Sequence, residues 1–378
     1  MIIKSIGLPT MHKEEGEKRA FLPSFIKMLN KYDVDIYIDE DYGNKMGYKS
    51  DDYVAQNCSV KIASHDEVYM QDLVIVLKSP SLDELDKMKE NCALISMLHY
   101  ESRSTLRKRI VQNKIMSFSM DSVINDSNQR MVATYEQTAW GGVCTAIDEM
   151  EKRRSDFYCT KRDPYNVVIY GIGNLGINAG RSCFKYLGEK ISAHSDFADI
   201  PGFIVTYIEK DSLKSKDDIR RIFSCTDLLI DATKRIDFTT YIITNDLIGC
   251  LKDEAIILDL TADPYFENTT SLQVKAFEGI PYGTLDKYVF ETNAEEYDDI
   301  PKAVKTEFRR VTVSCNAWPG IFPEISMKIY EEQLEPFLDV MIKKGYDISI
   351  NSENSYERSL YRSTMKYFDE HNIRGLVK

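Results

Sequence analysis

Apolar positions in the first 125 residues fall into short unbroken runs separated by stretches of helical period. "IIKSIGL", "VDIYID", "DLVIVL", "ALISML" and "KIMSFSM" have strand length, while "PSFIKMLNKY" and "DDYVAQNCS" read as helices. Runs that do not alternate apolar with polar suit a parallel sheet covered on both faces, which predicts a doubly wound α/β domain. From 128 to 153 the pattern is mostly helical and ends in charges, and "KRDPY" then marks a boundary. A second α/β unit follows through "NVVIYGIGNLG", "FIVTYIEKD", "DLLIDAT", a helical "TTYIITNDLIGCL" and the strand "AIILDL". "PEISMKIYEEQLEPFLDVMIKKG" and "SYERSLYRSTMKYFDEH" have amphipathic period and no sheet of their own, so they are expected to return to the first domain. The expected division is 1–140 plus 320–378 as a discontinuous substrate domain and 141–319 as a second domain.

At 378 residues the length agrees with two cores rather than one. Lys+Arg 48 against Asp+Glu 60 leaves a net charge of −12, which argues against nucleic-acid partners and gives no polybasic membrane patch. No apolar stretch reaches the roughly 18 to 20 residues that span a bilayer, and the N-terminus has no signal-peptide core. Eight cysteines lack any C-x-x-C spacing, so no metal site and no disulfide framework is expected. These features point to a cytoplasmic protein. Solvated loops are expected at 188–202 and 291–299. His12, His65, His194 and His371 have no partner spacing and read as surface or packing residues.

The chemistry is concentrated in a few places. "VVIYGIGNLGINAGRSCFKYLG" is strand, glycine turn, helix, with Gly171, Gly173, Asn174, Leu175 and Gly176 in the turn. Glycines there permit a tight turn and close approach of backbone to a pyrophosphate, which the helix N-terminus attracts. The acid that binds ribose normally lies about 20 residues on. Glu209 is farther away than that, Asp211 competes with it, and Lys210 between them leaves NAD against NADP open. Two neighbouring strands end on proton-carrying residues, "DLVIVL" on Lys78 and "ALISML" on His99. Removing hydride from a C–N carbon requires the nitrogen to shed a proton, and adding water to the iminium requires a second base. A lysine in a shifted environment and a histidine serve those ends. Arg19, near the end of the first strand, suits a carboxylate ligand.

Taken together, the chain resembles the alanine dehydrogenase and transhydrogenase N-terminal superfamily over nearly its whole length. The E-x-R-x-x-L-x-P pattern appears as Glu17-Lys-Arg19-Ala-Phe-Leu22-Pro23, the lysine–histidine pair as Lys78 and His99, and the D-x-x-x-D signature as Asp259 to Asp263. Asn316-Ala-Trp-Pro319-Gly320-Ile-Phe-Pro323 is similar to the family's segment before the returning helices. "SFSMDSVINDSNQRMVATYEQTAWGGV" and "ILDLTADPYFEN" look most like the lysine-forming saccharopine dehydrogenases.

The resemblance implies two Rossmann-like domains with a cleft between them and an NAD cofactor, NADP being the alternative. The substrates would be small amino acids and 2-oxo acids, and the superfamily includes both single chains and homo-oligomers. Lys78 would deprotonate a secondary amine and His99 would activate water. Arg19 and Arg130 would hold carboxylates, and Asp121 would tune the pair. Asp259 would lie with the cofactor and Asp263 by the nicotinamide. Ser79 departs from the family's frequent acid after the lysine. The leading expectation is a saccharopine- or opine-type dehydrogenase. The alternatives are alanine dehydrogenase-type reductive amination, an N5-(carboxyethyl)ornithine synthase and a non-catalytic dinucleotide sensor.

Overall fold

The computed structural model describes residues 3–11, 14–194, 199–209, 212–213, 215–235, 237–267 and 271–372. Contacts divide the chain into unit 1 (Met1–Lys13, Glu17–Thr134, Pro323–Lys378) and unit 2 (Glu14–Gly16, Tyr135–Phe322).

Unit 1 is built on a fully parallel sheet of β1 (Ser5–Leu8), β2 (Asp35–Asp39), β3 (Val60–Ala63), β4 (Leu73–Lys78), β5 (Ala93–Met97) and β6 (Met116–Ser119), in the order β3-β2-β1-β4-β5-β6. Its helices are α1 (Pro23–Leu29), α2 (Ser50–Val54), α3 (His65–Tyr69), α4 (Leu82–Lys87) and α5 (Ser104–Gln112), joined after the return by α10 (Pro323–Lys344), α11 (Ser355–Arg362) and α12 (Met365–Asn372). The continuous runs read in the sequence are buried as such: every residue of β1 is buried, and so are the first five of β4. Met327, Leu334, Phe337, Leu338 and Met341 of α10 complete the same apolar core. In this order the chain leaves β1 toward β2 on one side and reaches β4 on the other. The strand order therefore reverses between β1 and β4, and a ligand crevice forms at the carboxyl ends of strands at such a point.

Unit 2 holds α6 (Tyr135–Arg153), α7 (Asn174–Ser192), α8 (Lys216–Phe223) and α9 (Asn245–Ile248). Its sheet contains the parallel strands β7 (Tyr165–Tyr170), β8 (Phe203–Ile208), β9 (Leu228–Asp231), β10 (Ile256–Asp259) and β14 (Val311–Ser314), with β13 (Val289–Phe290) antiparallel at one edge. β11 (Phe266–Glu267) and β12 (Leu272–Gln273) form a separate short ladder. The order β13-β14-β10-β9-β7-β8 reverses beside β7, the strand that leads into the glycine turn. The fold is thus α/β with two parallel-sheet Rossmann-like domains. No helix among the described residues is long and apolar enough to cross a membrane.

Several sequence expectations change in detail. Residues 128–134 are not helical, because the Asn125 side chain accepts the backbone N–H groups of Ser127 and Gln129, both at 2.9 Å, and fixes a turn. The stretch 239–251 is helical only over Asn245–Ile248, since Ile242 and Ile243 donate to the Ala276 carbonyl instead. Part of the expected loop at 188–202 is the last turn of α7, and Glu295–Tyr297 makes a short 3-10 turn within 291–299.

One packing contact has a pH consequence. Leu22 caps α1 with no side-chain acceptor of its own, and Glu331 of α10 accepts the Leu22 N–H at 2.5 Å and the Ser24 hydroxyl at 3.1 Å. Burial pushes this carboxyl from 4.5 up to about 7. The folded state therefore holds a proton that the unfolded state has lost between those values, and stability falls as pH rises through that window. Glu331→Gln is expected to be more stable than the wild type at about pH 8, by at most about 3 kcal/mol, and to lose that advantage at about pH 4.5. Thermal melts at the two pH values check this.

Candidate active site

In unit 1 the ends of β1, β4, β5 and β6 lie side by side, and Lys78, His99 and Asp121 stand on or just after the last three. Register between β4 and β5 shifts between Ile75 and Lys78, so Lys78 pairs with Met97. Such an irregularity re-aims the side chain that follows it. Lys78 Nζ lies 3.5 Å from Glu17 Oε2. His99, two residues past the strand partner of Lys78, has φ +47°, a left-handed conformation uncommon outside glycine. Asp121 holds it there. The carboxylate accepts the His99 N–H at 3.1 Å and the Ser119 hydroxyl at 2.6 Å, and its second oxygen is 3.7 Å from His99 Nδ1. Burial alone raises the Asp121 carboxyl, but His99 and then Arg130 bring it below its ordinary value. The imidazole therefore faces a carboxylate that stays ionised.

Arg19 is in the same cluster with part of its fork already engaged. Its Nε and Nη2 donate to the two oxygens of Glu17 at 2.8 and 2.7 Å, and both side chains are almost fully buried. Arg19 and Lys78 share this one carboxylate, so Glu17 orders both cations. The sequence reading quoted Glu17 only as part of a motif; the two-residue spacing to Arg19 was the available signal. Arg130 donates to the Val132 carbonyl at 2.8 Å and lies 3.2 Å from the Met97 sulfur, at the end of β5. Ser79, the departure from the family pattern, accepts a hydrogen bond from Arg103.

In unit 2 the glycine turn follows β7 as expected. Gly171 has φ +105°, and a Cβ there would sit 2.4 Å from the Ala232 carbonyl oxygen; one on Gly176 would sit 1.9 Å from the Gly171 oxygen. Around Gly173 the same test meets nothing within 4 Å. Asn174, Leu175 and Gly176 begin α7, whose first turn carries no acid and whose leading N–H groups have no intrahelical acceptor. Glu209 directly follows β8, whose last residue Ile208 pairs with Tyr170, so it sits beside the glycine turn despite its distance in sequence. The long α7 absorbs the extra residues. Lys210 and Asp211 lie outside the described residues, as does His12.

The two acids at the end of β10 part company. Asp259 is 1% exposed, and both its oxygens are taken: Oδ1 by the Thr261 and Ala262 N–H groups at 3.0 and 2.7 Å, Oδ2 by Lys275 Nζ at 2.7 Å and Ser314 Oγ at 3.0 Å. Through these bonds it anchors the turn, including Ala262 at φ +47°, that leads to Asp263. Asp263 pairs with Arg235 at 2.7 Å, and burial nevertheless raises its carboxyl. Asp231, at the end of β9, is also raised, by burial and then by the charge of Asp259. Lys275, Arg235 and Asp231 went unnoticed in the sequence. "DLLIDAT" shows an acid ending a buried strand, but Lys275 lies in a segment of no clear period.

With both sets of strand-end residues in view, comparison with known proteins shows what the chain is similar to. Residues 7–139 match the family model described as "Alanine dehydrogenase/PNT, N-terminal domain", about a third of the chain. The chain is similar to NAD(P) transhydrogenase subunit alpha from Haemophilus influenzae, 21% identical over 92% of this chain and 68% of that protein. It is also similar to alanine dehydrogenases of Staphylococcus haemolyticus (21% identical, 90% of this chain and 88% of the relative) and Geobacillus stearothermophilus (19%, 70% and 74%). Among solved structures, an L-alanine dehydrogenase superposes with a TM-score of 0.70 at 17% identity, covering 95% of this chain and 94% of that one. A transhydrogenase from Sinorhizobium meliloti superposes with a TM-score of 0.61 at 11% identity, covering 90% and 95%.

Proposed function

We propose that this chain is an NAD(P)-dependent oxidoreductase that interconverts an amino acid and a 2-oxo acid, with ammonia as the nitrogen donor. The observation that carries the reading is the cluster at the ends of β1, β4, β5 and β6, where Lys78 stands beside Glu17–Arg19 and His99 is locked onto Asp121. The relatives named alanine dehydrogenase support reductive amination over the secondary-amine chemistry expected first from the sequence.

The glycine turn fits a dinucleotide: its middle glycine faces open space and the helix behind it brings N–H groups without an opposing acid. Backbone of Gly171, Gly173, Asn174, Leu175 and Gly176 would hold the pyrophosphate and Glu209 the ribose, an acid there favouring NAD over a 2′-phosphate. The bound dinucleotide supplies a two-electron hydride acceptor and donor. Arg19 and Arg130 orient the substrate carboxylate. In the deaminating direction Lys78 Nζ receives the proton shed by the substrate nitrogen. His99 takes a proton from the water that adds at the same carbon, and ionised Asp121 steadies the imidazolium that results. On the family resemblance Asp263 would lie by the nicotinamide.

The test is a donor panel: pyruvate and other 2-oxo acids with NADH or NADPH, first with ammonium, then with lysine or ornithine. Dinucleotide oxidation with ammonium alone is the expected result. Turnover only with an amino-acid amine supports the saccharopine, opine or carboxyethyl-ornithine reading, which Arg103 on Ser79 and Arg130 favour as extra cations for a second carboxylate. Tight dinucleotide binding without any turnover points to a sensor. Gly176→Ala places a methyl group against backbone that cannot move aside, and is expected to weaken dinucleotide binding about tenfold or more. Isothermal titration of wild type and variant measures it.

A further inference from the structure

His65 is the first residue of α3 and, contrary to its reading as a surface or packing residue, stands between two carboxylates. Its Nδ1 is 3.0 Å from Asp39 Oδ2 and its Nε2 is 3.2 Å from Glu84 Oε1. Each carboxylate has a second task. Asp39, at the end of β2, accepts the Thr10 N–H at 2.6 Å, two residues past β1. Glu84 accepts the Ser81 N–H at 2.5 Å in the capping box that starts α4, and Ser81 is the third residue after Lys78. One imidazole thus ties together the ends of β1 and β2 and the segment leading out of β4. Tyr69, one turn along α3, packs edge-on against the ring at 5.0 Å. A cavity of about 10 Å³, the size of one water, has Lys78, Thr10, Tyr69 and Glu84 in its wall, so the clamp and the lysine border the same space.

We propose that His65 is a positioning residue: as an imidazolium gripped by Asp39 and Glu84 it fixes the turn that carries Lys78. The inference rests on the reading of Lys78 as the proton acceptor. Both ring nitrogens donate only when the ring is charged; the neutral ring donates once and turns a lone pair toward the other carboxylate. Among the described residues, Asp39 from β2 and Glu84 from α4 face the ring across the fold, and Asp66, Glu67 and the phenol of Tyr69 are on its own helix. Hydrogen bonds to Asp39, then to Glu84, hold the imidazole at about 9 against its burial. The clamp is therefore closed through the neutral range and opens as pH rises through that value.

The test compares wild type with His65→Gln, both as the full chain. By hydrogen-exchange mass spectrometry at about pH 7.5, amides of 79–84 should exchange about tenfold faster in the variant while those of 171–180 stay unchanged. On the best substrate of the donor panel, kcat should fall about tenfold with KM moving less than about threefold, and the wild type's alkaline limb should vanish. Unchanged exchange in 79–84 together with wild-type kinetics overturns the clamp and leaves the proposed function standing. A wild type that turns over nothing overturns the function, and the exchange result still decides the clamp. Should His65→Gln fail to fold, imidazole titration of the wild type by NMR decides: a midpoint near 9 supports the clamp, and one near the ordinary 6.5 overturns it.

Discussion

Lys78→Met should lower kcat by about 10²- to 10⁴-fold, the range general acid–base catalysis contributes, with dinucleotide affinity unchanged. Methionine keeps the length of the side chain and removes the proton carrier. The variant should fold, because Glu17 keeps its two hydrogen bonds from Arg19 when the ammonium is gone, and because the Lys78 side chain is itself 19% exposed rather than sealed in the core. The glycine turn and Glu209 belong to unit 2 and the change removes no group from either, which is why binding is expected to survive. Steady-state rates with titration calorimetry on the same preparation separate the two effects. A kcat within threefold of wild type removes Lys78 from the chemistry.

The second large effect is on stability. Glu17 stands between the Arg19 guanidinium and the Lys78 ammonium, and its side chain is 1% exposed. Glu17→Ala leaves Arg19 charged and buried without its partner, a loss of about 3 to 5 kcal/mol. For a protein of this size that lowers the melting temperature by roughly 5 to 15 °C. Burial by itself would raise the Glu17 carboxyl, but Arg19 and then Lys78 hold it down to about 2. The folded value lies below the unfolded 4.5, so the stability it adds is fully present above 4.5 and is lost as pH falls through about 2. Wild type should therefore show an acid limb in that window that Glu17→Ala lacks. Melts from about pH 2 to about pH 7 would expose the difference, and identical acid limbs would contradict the pairing.

The fold was legible because its signals are local. Unbroken apolar runs of strand length at β4, β5, β9 and β10 suit strands buried on both faces, and Gly171 takes φ +105°, which side chains rarely adopt. Lys78 and His99 stood out because each ends such a run. What escaped the sequence is set by tertiary neighbours. Nothing near His65 in the chain announces Asp39 or Glu84, which are 26 and 19 residues away. Lys275 meets Asp259 across 16 residues, a pairing that no local pattern in the sequence announces. The helical period at 239–243 was real as a pattern but lost to the Ala276 carbonyl, since a short apolar stretch takes whichever backbone partner packing offers. The choice between ammonia and an amino-acid amine is hidden for a related reason: Arg19, Arg103 and Arg130 are placed by the fold, and their spacing in the chain does not say how many carboxylates they face.

The claim at the centre is hydride transfer at an amino-acid carbon bearing nitrogen, with Lys78 managing the proton. Its most direct test is a label experiment: an amino acid deuterated at Cα is incubated with oxidised dinucleotide and the wild-type protein, and the reduced nicotinamide is analysed by mass spectrometry. The account predicts deuterium on the nicotinamide in step with 2-oxo acid formed, and almost none of either with Lys78→Met. Oxo acid appearing without label on the nicotinamide, or equal labelling by the variant, would contradict it.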